Sequence, residues 1–176
     1  MIIKTVIFLL LLTEGFSQTW YWTGRTHGEL DWSTIETEHY RVHYHQGIEK
    51  IAKEGASIAE QVRPILLKQM DLEDIPTIDI IFTTEDEIMN GFAQWTYNTF
   101  IWVDQNDAAI WLEDEKWLYQ VLAHELQHIV FFHRVKTWLP EPWSIFLSQI
   151  PGWVVEGLAE YETEHWRPYR ADISHK

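Results

Sequence analysis

His124, Glu125 and His128 fall in the stretch LAHELQHIV, where two histidines stand four apart and a glutamate directly follows the first. On an α-helix residues i and i+4 lie one turn apart on the same face, so the two imidazoles can converge on one ion. Glu125 lies about 100° round the same helix, too offset to be a third ligand but placed to hold a water beside that ion and take its proton. A chain of this composition produces such a motif by chance roughly one time in twenty. The motif therefore needs a third protein ligand, and with it an open position for water.

Three kinds of third ligand can be sought downstream. An H-E-x-x-H-x-x-G-x-x-H extension would need Gly at 131 and His at 134, where the sequence has Phe131 and Arg134, with His133 one residue short. An aspartate in a short spacer finds no candidate, because Asp172 is the only aspartate after Asp114. A glutamate from a second helix remains, and PGWVVEGLAEYE offers Glu156. Gly157 and Ala159 beside it are small, which would let that helix approach the histidine helix closely.

HELQH followed by WVVEGLAEY resembles the gluzincin zinc peptidases, the group of thermolysin and the zinc aminopeptidases, and within it is most similar to the peptidase MA-like domain. The resemblance covers roughly Thr37 to Glu164. It implies a zincin-like α+β fold: a small mixed sheet, an active-site helix with the H-E-x-x-H motif, and a second helix with the third zinc ligand. It implies His124, His128 and Glu156 as zinc ligands, Glu125 as general base, and Glu160, one turn beyond Glu156, as the acceptor that orients a ligand histidine. NGFA, Asn90 to Ala93, is similar to the edge segment on which such enzymes pair an extended substrate, which makes Asn90 and Ala93 substrate-binding candidates. Tyr161, His165 and Tyr169 are candidates to stabilise an oxyanion. The expected activity is hydrolysis of a peptide or protein substrate, with Zn2+ as cofactor. The alternative is a metal-stabilised module, catalytically weak or inactive, that binds a protein or glycan through exposed Trp and Tyr. Relatives of this kind carry further C-terminal structure, often a β-propeller, so the chain is expected to be either a minimal unit or a truncated piece.

Composition fits these readings. The 176 residues are 46% hydrophobic and 15% aromatic, enough for one domain with a real core. A formal charge of −14 disfavours nucleic acid and anionic membrane as partners. With no cysteine, thiolate metal sites, disulfides and cysteine nucleophiles are excluded, and a transition metal must rely on His and carboxylate. At the start, MIIKTVIFLLLLTEGFSQ has one Lys, an apolar run from Val6 to Leu12, and small Gly15 and Ser17, the order of a signal peptide. That run falls short of the about 20 residues needed to span a bilayer. The expectation is a signal peptide over 1–17, a peptidase MA-like domain over 18–176, and a secreted, periplasmic or cell-surface product without stable membrane insertion.

The elements that must position the site follow from periodicity. HYRVHYH alternates Tyr40, Val42 and Tyr44 against His39, Arg41, His43 and His45, a strand with one buried face. The three last-named histidines could share a metal, but a solvent or sheet face is their expected role. Ile48 through Leu66, including Ile65, have helical spacing, with Pro64 expected to kink or shorten the end. TIDIIFT predicts a strand, and FAQWTYNTFIWVD two strands about a turn near Asn98. Asp114 to about Arg134 predicts a helix with acidic residues in its first turn, and GWVVEGLAEYETEH a last one. No repeat or flexible linker marks a second domain boundary.

Overall fold

Alternating burial builds the sheet. In the computed structural model, which describes residues 30–84, 90–103, 117–136 and 150–163, Tyr40 and Val42, then Ile78, Ile80 and Phe82, then Thr99 and Ile101 are all buried at two-residue spacing. These residues belong to strands β2 (Tyr40–His45), β3 (Ile78–Thr83) and β5 (Asn98–Trp102). Strand β1 (Trp32–Glu36) flanks β2, and β4 (Asn90–Gln94) flanks β5, giving the order β1-β2-β3-β5-β4. The inner pairs β2–β3 and β3–β5 are parallel, and the outer pairs β1–β2 and β4–β5 antiparallel. The fold is α+β, with one five-stranded mixed sheet and three helices among the described residues: α1 (Glu49–Gln69), α2 (Trp117–Val135) and α3 (Gly152–Thr163). The chain divides between Asp31 and Trp32 into two units, and every one of these elements lies in Trp32–Lys176. No helix of the described residues is long and apolar enough to cross a membrane.

Helix α1 connects two parallel strands, which cannot be joined by a tight turn. Its Ile51, Ala52, Ile58, Ala59, Val62, Leu66 and Leu67 enter one core with the sheet and with Leu118, Leu122, Leu126 and Ile129 of α2. The approach is close: a Cβ at Gly55 would fall within 2.8 Å of two Phe82 ring carbons, so only glycine fits there. Buried Arg63 ties the end of the helix to the next loop, donating to Asp74 Oδ1 and to the Ile75 carbonyl, both at 2.6 Å.

Several expectations are corrected. Pro64 does not shorten α1, which runs five residues past it to Gln69. A proline forfeits one backbone bond, and buried Val62, Arg63, Leu66 and Leu67 hold the helix on both sides of the loss. Ile65 turns outward and is 39% exposed. Of the two faces expected for it, solvent or sheet, His45 takes a buried place on the sheet, with Nδ1 2.9 Å from the Gln46 carbonyl and Nε2 3.3 Å from the Thr84 amide. The hairpin stands where it was expected, its turn at Trp95–Tyr97 directly before Asn98, which opens β5, and Tyr97 takes φ +59°. The expected acidic first turn at Asp114 lies outside the described residues. Strand β1 was not foreseen: WSTIE shows no apolar alternation, and its pairing with β2 makes it a strand.

Candidate metal centre

Helix α2 turns Leu118, Leu122, Leu126 and Ile129 inward, which leaves His124 and His128 together on another face. Their rings lie perpendicular, with centroids 4.7 Å apart, and their Nε2 atoms are 3.1 Å apart. Glu156 of α3 reaches across so that its Oε2 is 3.4 Å from both nitrogens. These are the residues, among those described, whose ligand atoms could hold a metal ion. His128 is buried while the Glu156 side chain is 66% exposed, so the group opens to solvent on the α3 side.

Glu125 is buried between α2 and the β4 strand. Its carboxyl is pushed up to about 8, first by burial and then by the Glu156 carboxylate, against a backbone hydrogen bond from Ala93. Burial and the neighbouring His124 together push His128 down to about 4, against the pull of Glu156. Desolvation disfavours the charged form of both groups, keeping the carboxyl neutral and the imidazole unprotonated.

Glu160 Oε1 is 3.9 Å from His124 Nδ1, the ring nitrogen that faces away from His128, in ion-pair range but beyond a hydrogen bond. The role expected for Gly157 is corrected: a side chain there would meet nothing within 4 Å, and it is Ala159, buried to 1% exposure, that packs inward. Asn90 opens β4 as an exposed residue whose Oδ1 accepts from the Gly91 amide at 2.9 Å. β4 is the last strand of the sheet, so one of its edges carries no strand among the described residues. Tyr161 is 69% exposed, and His165 and Tyr169 lie outside the described residues. The other strand histidines do not converge. His39 pairs with Glu60 at 2.8 Å, His43 lies between Thr34 and Asp79, and His45 has the partners already given.

Two residues in the centre escaped the sequence reading. Gly91 sits against Glu125, and its only signal is that it is a glycine inside a strand, which marks close approach of another group. Gln127 is fully buried with neither amide atom partnered among the described residues, and His128 Nδ1 is likewise buried without a partner. No signal in the sequence reports this. The chain matches no protein family, and no curated protein or solved structure is significantly similar to it.

Proposed function

We propose that this chain is a secreted zinc-dependent peptidase of the gluzincin type, on a zincin-like fold, that hydrolyses peptide bonds with Glu125 as general base. The observation that carries the reading is the triangle of ligand atoms. Its sides are 3.1, 3.4 and 3.4 Å, and ligands about 2.0–2.1 Å from a tetrahedral zinc stand roughly 3.3–3.4 Å from one another. Without a cation the arrangement is poorly satisfied, because at most one of the facing nitrogens can donate to the other. Two imidazoles and one carboxylate, with an open side, are also the donor set of a catalytic rather than a structural zinc.

Zinc held by His124, His128 and Glu156 would supply a Lewis acid to polarise the scissile carbonyl and to acidify the attacking water. The chain's own residues do the rest. Glu125 accepts the proton of the attacking water and returns it to the departing amine. The edge of β4 that no described strand covers, from Asn90 to Ala93, is where an extended peptide would add, beside the Ala93 backbone that also hydrogen-bonds Glu125. Glu160, in ion-pair range of His124 Nδ1, is the residue that would orient that ring, and Glu160→Ala is expected to weaken zinc affinity by about 10- to 100-fold as read by competition with a chelator.

The deciding experiment joins metal analysis to digestion of a peptide library, with and without chelator. One zinc per chain and chelator-sensitive cleavage are expected; cleavage that survives complete metal removal sinks the reading. A chain that holds zinc and cleaves nothing is the metal-stabilised binding module instead, for which Trp153, 77% exposed on α3, and Tyr161 supply aromatic surface.

A further inference from the structure

We propose that Gly91 is the positioning residue for Glu125, the vacancy of its side chain being the space in which the carboxylate lies. This rests on the reading of Glu125 as general base. A Cβ built on Gly91 would have Cγ, Oε1 and Cδ of Glu125 all within 2.7 Å. Contacts under 3.0 Å are essentially never seen for real Cβ atoms, so one side would have to move.

The backbone conformation at Gly91 does not call for glycine, since Gly47 is the glycine with a positive φ among the described residues. A glycine inside a strand also loses side-chain packing and costs backbone entropy. What requires it is the neighbour. β4 cannot readily withdraw, because Gly91 is held in register with Ile101 of β5 and Phe92 with Phe100. Glu125 cannot readily withdraw either, because Leu122, Leu126 and Ile129 of its helix are locked in the core. The soft element is the Glu125 side chain, which a methyl group at position 91 would swing away from the Ala93 backbone that now holds it. The base is thereby set against the strand offered to substrate, and one contact fixes the distance between the proton acceptor and the peptide line.

The test is Gly91→Ala, alone and combined with Glu125→Ala, measured for zinc content, kcat, KM and Tm. A displacement of about 1 Å in a general base costs about 10²-fold in rate. Gly91→Ala should therefore lower kcat by about 10²-fold with KM and zinc content close to wild type. Overpacking should also lower Tm by about 5 °C in the Glu125 background. In the Glu125→Ala background the atoms that the methyl meets are gone, and the same substitution should leave Tm unchanged or raise it. This background keeps the stability arm readable even if Gly91→Ala alone folds poorly. Wild-type kcat in Gly91→Ala, or an equal Tm loss in both backgrounds, overturns the assignment. A wild-type chain that binds zinc but hydrolyses no peptide overturns the peptidase reading and this role with it, while the Tm coupling then reports packing alone.

Discussion

Glu125→Gln is expected to lower peptide hydrolysis by about 10⁴-fold or more while zinc remains at one per chain. The amide matches the carboxylate in size, so it fits the space beside Gly91 and its oxygen can still accept from the Ala93 backbone. None of the three ligand atoms is touched. What disappears is the proton acceptor. General acid–base participation is worth about 10² to 10⁴ in rate, and one residue here serves both the attack and the departure of the amine, which puts the loss at the upper end. Extended peptides that can pair along Asn90 to Ala93 are the substrates of choice. Equal rates for wild type and Glu125→Gln, both loaded with zinc, would show the mechanism to be wrong. The metal-free proteins give a second reading. The folded Glu125 carboxyl is raised from 4.5 to about 8, so the folded state binds the extra proton between those values. Its contribution is full below the unfolded pKa and is lost as pH rises through the folded one. Glu125→Gln loses nothing over that window, and its stability should gain on wild type as pH climbs from about 4.5 towards 8.

Replacing His124 and His128 together by Ala is expected to abolish zinc binding and the stabilisation that comes with it. Zinc at about a thousandfold over its Kd stabilises a one-site protein by about 4 kcal/mol, which in a domain of this size raises Tm by roughly 8–16 °C. Wild type should show that rise on adding zinc and the double variant none, by thermal unfolding with and without metal. Full zinc occupancy in the double variant would remove the centre from α2 altogether. Because burial holds His128 well below its ordinary range, its imidazole is unprotonated at neutral pH and need shed no proton to bind.

How far the centre was legible follows from range. His124, Glu125 and His128 sit within one and a half turns of one helix, and helical geometry alone brings them together. Glu156 lies on another helix, where no spacing points to it; elimination of the other downstream ligands offered it and the resemblance of WVVEGLAEY named its role. β2, β3 and β5 were readable because Tyr40/Val42, Ile78/Ile80/Phe82 and Thr99/Ile101 alternate with less buried residues. β1 was not, since an edge strand with four of its five residues exposed has no buried face to write into its sequence. Gly91, the burial of Gln127 and the course of α1 through Pro64 depend on what a distant segment brings alongside, and a pattern of neighbours in sequence carries no trace of that.

The third helix is held lightly. Of α3 only Ala159 and Thr163 are buried, and Gln69 Nε2 of α1 donates to the Glu162 carbonyl at 2.8 Å. Glu156 stands on this helix while both histidines stand on α2. An ion shared among them would join two separate stretches of chain, as a disulfide does in a protein that has cysteine. This one has none. Such a cross-link acts chiefly on the states it forbids: α3 could not peel away without giving up a ligand, and the entropy of the chain between the ligands would be curtailed with the ion in place. Metal occupancy and the lifetime of α3 against local opening would then be a single equilibrium seen from two sides.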